Sequence, residues 1–480
     1  MSEYSNEHRA DLMDLLSRRQ LFSRLGTGAG ALALAMLLAE RSDASVPRAG
    51  NNLLSKPPYR RPIAKRVIYL FQNGGPSQVD LFDPKPELSR QEGKKPGADF
   101  VNDVDAKKTG VWLGSPFKFQ KHGHSGMELS ELLPGLGGHA DEIALIRSMV
   151  SEHENHEQAC CHMHTGMPVA GRPTFGSWVT YGLGTENQNL PSYVAILDPG
   201  GLPVDGARNW SSGWMPPLYQ GMPIRAAESS PILNLETKIP RDAADARLQL
   251  LQSMNRQHRQ GREDNLDLEA RIANFELAAR MQLAATDALD LTKETAATRA
   301  NYGLDTPETA TYGRQCLMAR RLVERGVRFV QVMMNGQPWD THADNANQLR
   351  KLCRSTDSPV SALLTDLRQR GLLDDTLVIW TGEFGRTPFA EGKDGRDHHK
   401  RGFSLWVAGG GVRGGATHGA TDPFGYAAVH DVVTVADFHA TLLHLLGLDF
   451  EQLTFRHDTR DERLTDVHKA NIVTPILQYG

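Results

Sequence analysis

Three short segments in the second half of the chain combine acidic and imidazole side chains with glycine turns. They are residues 339–342 (Trp-Asp-Thr-His), 381–388 (Thr-Gly-Glu-Phe-Gly-Arg-Thr-Pro) and 395–399 (Gly-Arg-Asp-His-His). Carboxylate together with imidazole favours zinc, manganese or iron, because calcium prefers oxygen ligands alone. The segments therefore predict a site of the metallohydrolase type that holds a divalent metal ion, zinc or manganese in preference to calcium.

Within these segments, Asp340 and His342 stand two apart in a predicted loop, so both side chains could turn toward one ion. Glu383 follows an apolar strand and lies between two glycines, which places its carboxylate at a sharply turning strand end. Arg386 could pair with Glu383 or bind an anionic group. The alternatives are a capped turn whose histidine only packs, and a local ion pair in a loop.

Asp397, His398 and His399 offer three potential metal ligands in succession. Adjacent side chains point in different directions, so we expect one or two of the three to face the site, His398 first. The alternative is a solvated turn, because histidine is also common on protein surfaces.

A second group of potential ligands lies upstream, in residues 153–164. It contains His153, His156, His162, His164, Cys160 and Cys161. Histidines at i and i+3 share a helix face and could chelate a transition metal, or support redox chemistry with the cysteines. The alternative is a structural helix that buries Cys160 and Met163.

An apolar run at residues 67–71 predicts a strand buried on both faces of a parallel sheet, and a glycine-rich loop follows it. The two adjacent glycines of this loop could bring backbone amides close to an anion. Asn73, Ser77 and Asp80 are its site candidates. Ser77 could be a nucleophile or a donor to an anion, and the alternative is an ordinary turn serine.

The last third of the chain repeats a unit in which a helix ends at a glycine and a strand follows. The helices end at Gly326 and Gly371, and strands are expected at 327–334, 377–380 and 403–408. This alternation predicts an α/β fold with a largely parallel central sheet and helices on both faces.

The carboxyl ends of parallel strands share one edge of a sheet, so we expect Asn73, Asp340 and Glu383 to meet there. His156 could then act as general acid, general base or ligand. Further expected elements are helices at 128–136 and 246–290 and a strand at 193–197.

The composition is that of ordinary globular protein, with 480 residues, 40% of them hydrophobic, and a net charge of −4. Without a basic field, a nucleic-acid partner is not expected. Four cysteines cannot form a dense disulfide framework.

The N-terminus carries Ser-Arg-Arg-Gln-Leu-Phe at residues 17–22, before a weakly apolar run rich in glycine and alanine. This pattern predicts a twin-arginine export signal, and hence a periplasmic or cell-envelope protein; the alternative is an amphipathic helix with an incidental arginine pair. The expected organisation is a signal (1–45), a linker (46–65), an α/β domain (66–450) with a helical insertion (246–300), and a C-terminal tail (451–480).

The order of the motifs resembles the DUF1501 family, a sulfatase-like branch of the alkaline phosphatase superfamily, over residues 66–449. The motifs are residues 74–77 (Gly-Gly-Pro-Ser), Asp80, 83–86 (Asp-Pro-Lys-Pro), 164–166 (His-Thr-Gly), 339–342, 382–388, 395–398 and 408–411 (Ala-Gly-Gly-Gly). The resemblance implies hydrolysis of a phosphate or sulfate ester with one or two metal ions. It implies that Asp340 and His342 hold one metal, that Glu383 replaces a strand-end aspartate ligand, and that His398 or His399 is the late histidine ligand.

The chain also departs from active sulfatases. Its first strand ends in Gln72-Asn73 where sulfatases have two aspartates, and His156 stands where the nucleophile would be. We therefore expect a metal-dependent hydrolase in which Arg386 or loop amides steady an anionic ester or sugar-linked substrate. The alternative is a catalytically inactive protein that binds a ligand or another exported envelope protein.

Overall fold

The computed structural model describes residues 53–97, 100, 109–226, 240–262 and 265–478. The predicted signal at 1–45 lies outside the described residues. The strands are β1 (Arg66–Phe71), β2 (Phe119–His122), β3 (Met127–Ser130), β4 (Ile143–Val150), β5 (Tyr193–Leu197), β6 (Met222–Arg225), β7 (Phe329–Met333), β8 (Thr376–Thr381), β9 (Gly385–Arg386), β10 (His398–His399), β11 (Phe403–Ala408), β12 (Thr417–His418), β13 (Ala420–Thr421), β14 (Ala428–His430), β15 (Val433–Thr434), β16 (Phe455–His457) and β17 (Arg460–Glu462).

The α-helices alternate with these strands over much of the chain. They are α1 (Gln78–Leu81), α2 (Pro86–Arg90), α3 (Pro134–Gly137), α4 (His156–Thr165), α5 (Phe175–Leu183), α6 (Arg241–Arg259), α7 (Leu266–Leu289), α8 (Ala296–Asn301), α9 (Ala310–Glu324), α10 (Asn345–Gln369) and α11 (Val435–Leu445). None of the helices in the described part of the chain combines the length and apolarity that a membrane span needs.

Within the described residues, the core of the fold is a nine-stranded sheet with the strand order β12-β4-β11-β8-β1-β7-β5-β6, in which β15 also pairs with β4. β1 lies between β7 and β8 and is parallel to both. The prediction of a mixed α/β fold with a largely parallel sheet is confirmed. The exception is β11, which is antiparallel to both β4 and β8, since no crossover helix separates it from β8.

The strand β1 shows why the sheet needs helices on both of its faces. Val67 and Phe71 pack in one apolar cluster with residues of α5 and α11, whereas Ile68 and Leu70 pack in another with residues of α9 and α10. A strand buried on both sides reads as a continuous apolar run, which is the pattern of this segment.

Two expected helices differ from the structure. Residues 128–136 were expected to be helical, but β3 pairs with β2 as an antiparallel hairpin and only the short α3 follows, beginning at Pro134. The long helix expected at 246–290 is instead two helices, α6 and α7, with Gly261 between them at a φ of +73°. Glycine adopts this left-handed conformation without strain, so the chain can turn there.

The residues expected to form a C-terminal tail contribute to the core. Leu453, Phe455, Leu464 and Ile476 are all buried in the cluster that also covers one face of the central sheet. The four cysteines are free and buried.

Candidate metal centre

The loops that leave β1, β7 and β8 meet at the carboxyl edge of the sheet, because these strands are neighbours and parallel. Asp340 lies in the loop after β7, and Glu383 follows β8. The start of α4 adds His156, whose helix is capped by Asn155 through a 3.1 Å bond from the amide of Glu157. β10 adds His398.

Three imidazoles converge on the carboxylate of Asp340. His342 Nε2 and His398 Nε2 lie 2.9 and 3.0 Å from Asp340 Oδ1, and His156 Nε2 lies 3.3 Å from Oδ2. The Nε2 atoms of His342 and His398 are 3.0 Å apart. We call these four residues the Asp340 cluster.

Each imidazole of the cluster is held from behind through its other nitrogen. His156 Nδ1 lies 2.6 Å from Glu383 Oε1, His398 Nδ1 lies 2.8 Å from the carbonyl oxygen of Glu154, and His342 Nδ1 bonds Glu391 Oε2. Carboxylate and carbonyl oxygens only accept hydrogen bonds, so each Nδ1 carries the proton. The three Nε2 atoms then face the negative carboxylate of Asp340, and each of these contacts needs a positive charge between nitrogen and oxygen, either a proton on Nε2 or a bound cation.

A metal ion is one such charge, and the ligand atoms fit it. Those of His156, Asp340 and His398 all lie within 4.8 Å of one another, as do those of His342, Asp397 and His398. Two imidazoles with one carboxylate is a donor set suited to zinc or manganese. His156 Nε2 is also buried and forms no well-aligned hydrogen bond in the described residues.

Glu383 was predicted to be a metal ligand, but the structure places it behind His156. Its two oxygens accept the amide of Gly74 at 2.9 and 3.2 Å, and Oε1 also faces His156 Nδ1. It is fully buried. A carboxylate in this position fixes the tautomer and direction of the imidazole.

Gly74 allows the loop after β1 to approach the cluster. Its φ is +113°, and a Cβ atom there would lie 2.5 Å from the backbone nitrogen of Asp340. Any side chain would push the two loops apart, so glycine is required at this position.

Arg386 was predicted to pair with Glu383 or to bind an anion, and the structure gives it different partners. It is fully buried, with Nη2 2.6 Å from Asp340 Oδ1 and bonded to the carbonyl oxygen of Gly74, and with Nε donating to Gly75 O at 2.9 Å. Nη1 donates to Arg396 O at 3.1 Å. Because these bonds point inward, Arg386 fixes Asp340 and does not face an external anion.

The cluster perturbs the ionisation of its members. Burial alone would raise the pKa of Asp340, but hydrogen bonds from His156 and His398 and the charge of Arg386 hold it well below its usual range. Burial alone would lower the pKa of His156, but its contacts with Asp340 and Glu383 raise it to about 9. Asp340 is therefore an anion at neutral pH, as a metal ligand must be.

Ser77 and Asp80 lie in a separate network. The Ser77 hydroxyl donates to Asp80 Oδ2 at 2.6 Å, and both side chains are buried. Ser77 is therefore engaged by its neighbour and does not face the Asp340 cluster. Asn73 is buried as well, and its amide atoms have no hydrogen-bond partner among the described residues.

The remaining predicted ligands lie apart from the cluster. His399 Nε2 faces Tyr426 O, and burial lowers the pKa of His399 to about 4. Burial also lowers the pKa of His162 and of His164 to about 3, and His164 packs 4.3 Å from the ring of Phe71. His153 Nδ1 accepts the amide of Asn155 at 3.2 Å.

The two adjacent cysteines of the upstream group are buried thiols. Burial raises the pKa of Cys161 to about 12, and raises that of Cys160 well above its ordinary value. Neither is part of the groups of potential metal ligands found in the described residues. These thiols have the character of core residues, since thiolate chemistry requires a lowered pKa.

Two residues that orient the cluster were not identified from the sequence. Glu391 bonds His342, and Gln337 Nε2 donates to Asp340 Oδ2 at 2.8 Å. A ligating histidine generally needs an acceptor for its second nitrogen, so the available signal was Glu391, an acid that lies between the predicted ligand segments 381–388 and 395–399.

A family model matches most of the chain: the model described as "Protein of unknown function (DUF1501)" covers residues 64–477. No curated protein matches the chain. The prediction that the chain resembles this family is confirmed.

Several solved structures are similar to this chain at low sequence identity. The sulfatase PsFucS1 from Pseudoalteromonas sp. is 14% identical, with 81% of this chain and 68% of that chain covered and a TM-score of 0.34. The phosphonate monoester hydrolase SpPMH from Silicibacter pomeroyi is 11% identical, with 86% and 76% covered and a TM-score of 0.34. A protein in the alkaline phosphatase superfamily from Vibrio parahaemolyticus is 11% identical, with 85% and 73% covered and a TM-score of 0.31.

Proposed function

The chain belongs to the DUF1501 family of proteins of unknown function. We propose that this protein is an exported, metal-dependent hydrolase of a phosphate or sulfate ester. The choice of ester follows the order of motifs that resembles the alkaline phosphatase superfamily. The substrate is an anionic ester, free or linked to a sugar, and the ion is zinc or manganese.

One observation carries the proposal. The three imidazoles of the Asp340 cluster are tied at Nδ1 to oxygen acceptors and direct Nε2 at one carboxylate, which is the arrangement of ligands prepared for a cation. Part of the cluster is open to solvent, with 39% of the His342 side chain and 20% of the His398 side chain exposed. A small substrate can therefore reach it.

His156, Asp340 and His398 would hold the ion, which when bound polarises an ester oxygen and lowers the pKa of water. Glu383 keeps the Nε2 lone pair of His156 directed at this position. Arg386 keeps Asp340 ionised and fixed. His342, the most exposed imidazole of the cluster, is placed to take up or release a proton at Nε2 while Glu391 holds its Nδ1.

The test is metal analysis followed by turnover assays. The purified protein is analysed for metal content, reconstituted with zinc or manganese, and assayed with aryl phosphate, phosphonate and sulfate esters. We expect turnover that Asp340→Ala abolishes together with metal binding. Asp374→Ala is the matched control, because Asp374 is exposed and precedes β8 at the opposite edge of the sheet. Wild-type protein that binds neither metal would refute the proposal.

A second candidate function is ligand binding without catalysis. It is favoured by the engagement of Ser77 by Asp80 and of Arg386 by backbone carbonyls and Asp340, which leaves both predicted substrate-contacting groups occupied. Metal bound by the wild type, lost in Asp340→Ala, and without turnover of any ester would support this function.

Export is part of the proposal, on the basis of the arginine pair at residues 18 and 19. Replacement of both arginines by lysine should leave the precursor in the cytoplasm, as measured by cell fractionation. Periplasmic accumulation of that variant would exclude the twin-arginine route.

A further inference from the structure

A fully buried ion pair lies beneath the Asp340 cluster. Arg396 Nε and Nη2 contact Asp80 Oδ2 and Oδ1 at 2.7 and 3.1 Å, and neither side chain is exposed. Asp80 Oδ2 also accepts from the Ser77 hydroxyl at 2.6 Å and from Asn345 Nδ2 at 3.0 Å. Arg396 makes further bonds to Thr387 O and Leu113 O, both at 3.0 Å.

This pair connects the two segments that carry the ligands. Thr341, between Asp340 and His342, donates its hydroxyl to Asn345 Oδ1 at 2.7 Å, and Asn345 in turn donates to Asp80. Arg396, two residues before His398, donates its amide to Thr341 O at 3.0 Å. One carboxylate thus anchors the segment of Asp340 and His342 and the segment of His398 together.

The hydrogen bonds around Asp80 and Arg396 fix the relative positions of the segments that they join. A buried ion pair costs desolvation energy, and it is tolerated only where further hydrogen bonds satisfy both partners, as they do here. Its members come from α1 and the loop before it, the loop after β7, the start of α10 and the loop before β10. A shift of any one of these segments would break bonds in the others.

We propose that Asp80 is a positioning residue for the metal centre, holding the two ligand-bearing segments in register through Arg396 and through Asn345 and Thr341. The assignment rests on the proposed function, because it requires that the Asp340 cluster binds a metal. Asp80 would act on the metal centre through these neighbours, because its own side chain does not contact the Asp340 cluster.

The experiment measures the zinc dissociation constant of the full folded chain by competition with a chromophoric chelator. Two variants break the network at different points. Asp80→Asn removes the charge, and Thr341→Val removes one hydroxyl while leaving the ion pair intact. Thr341→Ser keeps that hydroxyl and serves as the conservative rescue. Glu294→Gln is the matched control, since Glu294 is a half-buried carboxylate paired with Arg320 and Arg321.

We expect a zinc dissociation constant about 10 to 100 times higher for Thr341→Val, the range typical of lost outer-shell contacts, and near wild type for Thr341→Ser. The folded Asp80→Asn variant should show an increase in the zinc dissociation constant similar to that of Thr341→Val. Glu294→Gln should lower the thermal unfolding midpoint and leave zinc affinity unchanged, because its ion pair contacts no ligand segment.

Wild-type zinc affinity in Thr341→Val would overturn the assignment while leaving the proposed function intact. An equal loss of affinity in Thr341→Ser would overturn it as well, because that variant keeps the hydroxyl. Absence of zinc binding in the wild type would overturn the proposed function and this assignment with it.

Discussion

At the scale of single residues, the imidazoles of the Asp340 cluster share one design. Each is fixed by an oxygen acceptor behind it, and the acceptors differ in kind: Glu383, Glu391 and the carbonyl of Glu154. A carboxylate acceptor makes the opposite nitrogen a stronger donor to a metal than a carbonyl does. Glu383 is the most buried of the three, so its effect is the least screened by solvent.

A substitution of Glu383 separates orientation from direct ligation. Glu383→Gln should raise the zinc dissociation constant about 10-fold to 100-fold, because an amide holds the His156 tautomer less firmly than a carboxylate does. Chelator competition at pH 7 measures this change. The control is His399→Asn, which removes an imidazole next to His398 that faces Tyr426 O. An equal loss of zinc affinity in both variants would contradict the assigned roles.

At the scale of elements, loops from separate parts of the sheet pack against each other at the site. The loop after β1 touches the loop after β7 at Gly74, and the loop before β10 touches the same segment at Gly395. A Cβ atom at Gly395 would lie 1.8 Å from the carbonyl oxygen of His342. This distance is far inside van der Waals contact, so the approach of these two loops depends on the absence of a side chain.

The Gly395→Ala variant tests this contact between the two loops. We expect its zinc affinity to fall by about tenfold or more, as for the loss of an outer-shell contact, because the added methyl group displaces the backbone of His342. Gly97→Ala is the control, since a Cβ atom there meets nothing within 4 Å. Retention of full zinc affinity in Gly395→Ala would mean that the loops can separate without disturbing the ligands.

At the scale of the whole molecule, the parallel strands β1, β7 and β8 bring distant segments of the chain to one edge of the sheet. The buried ion pair of Asp80 and Arg396 connects these segments. Hydrogen bonds and Arg396 outweigh the effect of burial and lower the pKa of Asp80 from its ordinary value of 3.8. A carboxyl whose pKa is lower in the folded state stabilises the fold above its unfolded pKa. That contribution is lost as the pH falls through the folded pKa.

The free energy of unfolding of the wild type should therefore fall in acid by an amount that is absent from the Asp80→Asn variant, which has no carboxylate at this position. At pH 7 the variant should unfold with a free energy lower by about 3 to 5 kcal/mol, the usual effect of breaking a buried pair. The difference should begin to shrink below pH 3.8, where Asp80 of the unfolded wild type takes up a proton, and should vanish once the pH falls through the lowered pKa of folded Asp80. Denaturant unfolding at pH 7, 5 and 3 measures it. A difference that is constant with pH would show that the Asp80 charge is not what stabilises the pair.

Much of the fold could be predicted because the signals are local. The apolar run of β1 follows from its hydrophobic pattern, and the ends of α9 and α10 follow from Gly326 and Gly371, each two residues beyond the last helical residue. The predictions of secondary structure were wrong where the conformation depends on pairing with a distant part of the chain. The segment 128–136 has helical spacing, yet residues 128–130 belong to β3 because an antiparallel partner strand is available.

The site was only partly predictable for the same reason. Residue type and spacing predict Asp340, His342 and His398 as site residues, and the structure brings them together with His156. The direction in which Glu383, Arg386 and His399 point depends on which neighbours accept or donate hydrogen bonds. Apart from Arg396, whose carbonyl oxygen accepts from Arg386, these neighbours are more than 20 residues away in the chain.

The amino-acid sequence by itself determined the fold class, the family and the set of candidate metal ligands, because these depend on pattern, order and chemical type. The tertiary structure alone decided which of those side chains face Asp340, which lie behind them, and which belong to the core. The physical reason is that hydrogen-bond geometry acts over about 3 Å. Which atoms come within that distance is set by the packing of loops that are far apart in the chain.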